Sequence, residues 1–71
     1  MRILNIISNE LIIEKQKLEN DLERVLNNTE LSTEKIVDKS IELLNKLTQV
    51  SNTILTWESY INKEKEENKK N

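Results

Sequence analysis

Apolar residues recur along this chain with the period of a helix, in two blocks. Over residues 2–26, Leu4, Leu11, Leu18 and Val25 follow one another at seven-residue steps, with Ser8, Lys15 and Leu22 interleaved. Over residues 32–61 the pattern is cleaner: Ile36, Leu43, Val50 and Trp57 form one series, and Ser40, Leu47, Ile54 and Ile61 form the other. Two interleaved series of this kind make the a/d seam of a coiled coil. The pattern predicts two helices, 2–26 and 32–61, each with one packing stripe.

Between them lies Asn27-Asn28-Thr29-Glu30-Leu31. Asn tolerates the left-handed conformation that ends many helices, so Asn27 and Asn28 are the expected stop. Ser32 is the expected N-cap, with Glu34 in the first turn where the helix dipole favours an anion. Leu31 before the cap can pack on Ile36 as a hydrophobic staple. A loop this short makes the two helices antiparallel neighbours. The seams then check each other. Val25 falls opposite Ile36, Leu18 opposite Leu43, Leu11 opposite Val50 and Leu4 opposite Trp57, so one register satisfies every layer.

Two places strain this picture. Thr48, Ser51, Asn52 and Thr53 are poor interior helix residues, because their side chains compete for backbone hydrogen bonds. The second helix can kink or split there, but the heptad phase runs through without a slip and favours continuity. The stretch 62–71 has no apolar residue. Residues 1–61 are therefore read as the hairpin and 62–71 as a charged tail that frays.

A hairpin uses one stripe per helix, and this chain has apolar residues left over. Ile6 and Ile13 lie opposite the first seam, and Val37, Ile41, Leu44 and Leu55 lie to one side of the second. Fully burying one such side chain is worth about 1.5–3 kcal/mol, and large exposed apolar patches mark interfaces. These six residues are the predicted partner or dimer interface. Trp57 joins them as a candidate hot spot, with a terminal core position as its structural alternative. Self-association of two hairpins into a four-helix bundle covers the surplus most simply, so a homodimer is expected.

Composition narrows the function classes. The chain has 71 residues, no Gly, Pro, Cys or His, and a net charge of −2. Without Gly and Pro the usual turn grammar of β domains is missing. Without Cys and His there is no disulfide, no thiol nucleophile, no imidazole base and none of the usual zinc ligands. A domain this small needs a staple, and a second chain is the one left. The cations are interleaved with acids, against a nucleic-acid-binding role. No run of the roughly 18–20 apolar residues of a membrane span occurs, and no signal peptide is read in Met1–Ile13, so the cytoplasm is the expected compartment. The Asn27-Asn28-Thr29 sequon then carries no meaning. The pairs Glu10/Glu14 and Asp38/Glu42 have the spacing of acid–base partners, but on Glu-rich helices they read as a solvated face. Lys15, in the seam, reads as a packed stem with its amine in water. The Asn, Lys and Ile load points to an AT-rich genome.

The stretch 31–47, LSTEKIVDKSIELLNKL, resembles the signature region of the stage-zero sporulation protein E type of aspartyl-phosphate phosphatases. Leu31-Ser32, Ile36, Ser40 and Leu43 match that pattern at its spacing, and the likeness extends over roughly residues 10–47. The resemblance implies a small helical hairpin that dephosphorylates a response regulator. It also implies that position 44 should hold the Asp on which the activity depends and position 41 a Gln. This chain has Leu44 and Ile41 there. A residue that positions water for phosphoryl transfer must be polar, and leucine is not.

The sequence thus predicts an all-α, antiparallel two-helix hairpin with no catalytic, cofactor-binding or metal-ligating residue. It predicts a small regulator or inhibitor that presents helix faces to a protein partner and binds neither nucleic acid nor membrane. An aspartyl-phosphate phosphatase and a structural coiled-coil subunit are the two alternatives.

Overall fold

A computed structural model describes the backbone of residues 2–69 and the side chains of residues 2–63. It is all-helical. Helix α1 spans Arg2–Leu26 and α2 spans Thr33–Lys69, and the two pack against each other as a hairpin. The 37 residues of α2, at 1.5 Å each, set the 59 Å long axis of a body only 17 × 12 Å across.

The turn between the helices is built from side chains. Ser32 caps α2: its Oγ accepts from Lys35 N at 3.3 Å and its carbonyl from Ile36 N at 3.0 Å. Glu34 stands in the first turn, and Leu31 and Ile36, the staple pair, are both half-buried. The end of α1 differs from expectation. No described residue has a positive φ, so neither Asn27 nor Asn28 uses the left-handed conformation. Instead Asn28 N donates to Val25 O at 3.2 Å, a tightened last turn, and Asn28 Oδ1 accepts from Glu30 N at 2.8 Å. The Asn side chain replaces the backbone twist that a Gly would supply.

Helix α2 is continuous through 48–53. Thr48 Oγ1 donates to Leu44 O at 3.0 Å and Thr53 Oγ1 to Gln49 O at 2.9 Å. These hydroxyls bond back to the preceding turn and so do not compete with the helical ladder. The stretch from 62 onward was expected to be a frayed tail, and its residues 62–69 are placed in α2. The helix runs to Lys69, through a stretch of Asn, Lys and Glu that contains no helix breaker. Residues 70 and 71 of that expected tail lie outside the described residues.

The seam is where the periodicity placed it. Leu4, Ser8, Leu11, Leu18, Leu22 and Val25 of α1 are half-buried, as are Ile36, Leu43, Leu47, Ile54, Trp57 and Ile61 of α2. Ser40 and Val50 are buried, with 8% and 7% of their surface exposed. Lys15 is in phase with the seam but remains exposed, as a chain with a charged head must. Near the open end of the hairpin, Trp57 Nε1 donates to Ser8 Oγ at 2.8 Å. The indole leans toward the start of its own helix, as long helical side chains do. In a hairpin that direction leads from the level of Leu4 to Ser8.

The core is thin. Val50 is the one apolar residue classed as buried among the described residues, and no side chain is fully enclosed. The accessible surface is 6086 Å², against about 4,600 Å² for a compact monomer of this mass. The ion pairs add little. Asp21–Arg24 at 3.8 Å and Glu42–Lys46 at 3.5 Å are exposed pairs within single helices.

Candidate functional site

The seam defines two sides of the hairpin, and their chemistry differs. On one side a groove runs along the junction of the helices. It begins near the open end as a cleft of about 560 Å³ lined by Ile7, Leu11, Trp57 and Tyr60. Here the Trp57 and Tyr60 rings stack at 5.7 Å with planes 17° apart. Leu11 and Thr53 carry the groove into a wider stretch of about 800 Å³, where Glu14 of α1 and Lys46 of α2 share the wall. Asp21 links that stretch to a cleft beside the loop, where it shares the wall with Lys39. Acids of α1 therefore face lysines of α2 across the groove. These are flanking positions of a coiled coil, and no ion pair closes across the groove among the described residues.

The opposite side carries the four surplus apolar residues of α2. Val37, Ile41, Leu44 and Leu55 repeat along one flank of α2 in a second heptad phase, and all four are exposed, from 48% to 61%. In that phase Thr48 and Ser51 fill the middle of the stripe. The packing of the two helices brings in two residues that sequence periodicity did not single out. Ile12 and Leu26 occupy the α1 flank on the same side, and both are exposed. Periodicity identifies leftover positions on each helix separately. Only the hairpin register tells which leftovers of α1 share a side with those of α2.

The other candidates are dispersed. Ile6 and Ile13 are exposed; by heptad phase they lie on the back of α1 and not on the side of the α2 stripe, and Ile13 borders the groove. Trp57 is half-buried, tied to Ser8, and lines the cleft near the open end. Ile3, Ile7 and Tyr60 are further exposed apolar residues toward the open end.

The residues that carry the family resemblance are divided as well. Ser40 is buried in the seam, and its Oγ has no hydrogen-bond partner among the described residues. A small residue there lets the helices approach closely. Leu44, at the position of the signature Asp, projects outward and is exposed. Among the described residues there is no cluster of metal-ligating side chains and no helix long and apolar enough to cross a membrane. Comparison with protein-family models, with curated proteins and with solved structures returns no match.

Proposed function

We propose that this chain is a small non-catalytic regulator or inhibitor that works by docking one helix face on a protein partner. The observation that carries the reading is the exposed stripe Val37, Ile41, Leu44 and Leu55. These residues repeat at coiled-coil spacing on a helix whose other stripe is already used by the hairpin. A second apolar seam costs solubility unless something covers it. Where the phosphatase resemblance calls for a carboxylate, the chain offers Leu44, a group suited to packing and unable to orient water.

Self-association is the second reading, favoured by the surface excess. The surface in excess of a compact monomer, ~1,500 Å² per chain, is about twice the ~800 Å² a standard complex takes from each partner. Two hairpins joined by this side would form a four-helix bundle.

The test of the first reading is a capture experiment in extract of the native host, with the partner identified by mass spectrometry. The Ile41→Ser/Leu44→Ser protein should lose that partner while keeping its helical circular dichroism. Retention of the same partner by a folded double variant would overturn the proposal.

A further inference from the structure

The charges around the stripe identify the kind of partner it fits. In the heptad phase of the hairpin, Lys35, Lys39, Lys46 and Lys63 of α2 all fall on the groove side, as do Lys17 and Arg24 of α1. The apolar side has the opposite rim. Glu19 and Glu23 border it on α1, Glu34 and Glu58 stand at the two ends of the α2 stripe, and all four are exposed. Over residues 2–63 Arg2, at the extreme end, is the one cation in that phase. The chain is nearly neutral as a whole, yet over residues 2–63 every cation but Arg2, at the extreme end, and Lys15, in phase with the seam, is on the side away from this stripe.

From this asymmetry we infer that the stripe is a docking site for a basic amphipathic helix of another protein, one with apolar residues at heptad spacing flanked by Lys or Arg. The inference rests on the helix-face reading above and adds the partner's chemistry. Such a helix lays its apolar edge along Val37, Ile41, Leu44 and Leu55 and meets acids along the α1 border and at both ends of the stripe. A second copy of this chain lacks that complement. If two stripes are laid antiparallel about a two-fold axis, Glu34 of one copy comes level with Glu58 of the other. If they are laid parallel, each Glu meets its own counterpart. Like charges at flanking positions oppose pairing. A phosphate backbone or an anionic lipid surface meets the same acidic rim and is disfavoured for the same reason.

Two synthetic three-heptad peptides test this, both with Leu at a and d. One has Lys at e and g and the other Glu, and repulsion between like charges keeps each from pairing with itself. Fluorescence anisotropy of labelled peptide with the full chain should show the Lys peptide bound about tenfold more tightly than the Glu peptide at low salt, as expected for a few exposed charge pairs of ordinary strength. The ratio should fall toward one at high salt. Glu34→Lys/Glu58→Lys should narrow or reverse the preference, and Ile41→Ser/Leu44→Ser should abolish binding of both peptides, with circular dichroism confirming that each variant is folded. Equal binding of both peptides, lost together in the Ser variant, would overturn the basic-partner inference and leave the docking face standing. Failure of both peptides to bind would overturn the inference. If the wild type then also sediments as a dimer that Ile41→Ser/Leu44→Ser dissociates, the face belongs to a second copy. If the folded Ser variant also retains the protein that the wild type captures from extract of the native host, the helix-face reading fails with it.

Discussion

The structure separates residues that hold the hairpin together from residues that it leaves available, and stability measurements can read that separation. Val50→Ala removes two carbons from the most buried apolar position of the seam. At about 0.8 kcal/mol per buried methylene the transfer loss is roughly 1.6 kcal/mol. Part of a cavity cost adds to it, because Val50 also borders the open groove and its neighbours Leu11 and Leu18 can relax only on one side. A loss of about 2 kcal/mol is expected, a large share of the total for a thin core. For a domain of this size that lowers Tm by roughly 8–16 °C. Leu44→Gln, at a position 49% exposed, keeps the chain length and the helix propensity. It should move Tm by under about 4 °C, within the ±0.5 kcal/mol of ordinary surface changes. The assay is thermal unfolding followed by circular dichroism at several protein concentrations. Equal shifts for the two variants, with a midpoint that rises with concentration, would refute the reasoning, because Leu44 would then be buried in the solution state.

Three further outcomes follow from particular residues. Ser40→Ala should raise stability by about 0.5–1 kcal/mol, since it removes a buried hydroxyl without a partner and installs a better helix former; a loss in urea unfolding would mean the hydroxyl is bonded in solution. Ser32→Ala should cost about 0.5–2 kcal/mol through loss of the N-cap, whereas Thr33→Ala, one residue inside the helix, should cost far less; equal effects would remove Ser32 from that role. Incubation with a phosphorylated receiver domain should release no phosphate beyond the receiver's own decay. Release that disappears in Asn45→Ala or Ser40→Ala would restore the phosphatase reading.

The seam was fully legible in the sequence, because a seven-residue apolar period has one helical solution and a short loop has one way to pair the helices. Ser32 was legible for a similar reason: an N-cap is a local device whose partners sit within four residues. The end of α1 was legible in place, at Leu26, but not in means, because Asn can stop a helix either by its backbone or by its side chain, and Asn28 uses its side-chain oxygen toward Glu30. The extension of α2 beyond Ile61 was hidden because no apolar period marks it, although nothing in 62–69 breaks a helix. The candidate surface was half legible. Val37, Ile41, Leu44 and Leu55 stood out as a second phase on one helix. Ile12 and Leu26 share their side once the register of α1 on α2 is known. The alignment of all α2 lysines through Lys63 on the groove side also appears only once the register places the two flanks in space.

The central claim is that a partner protein sits on the Val37–Leu55 flank of α2. Site-specific photo-crosslinking in the native host tests it most directly, with the photoreactive residue placed in turn at 37, 41, 44 and 55 and, on the groove side of the same helix, at 42, 49 and 56. The account predicts a crosslinked product with one other protein from the first set and none from the second. Crosslinks concentrated at 42, 49 and 56, or spread evenly around the helix, would contradict it.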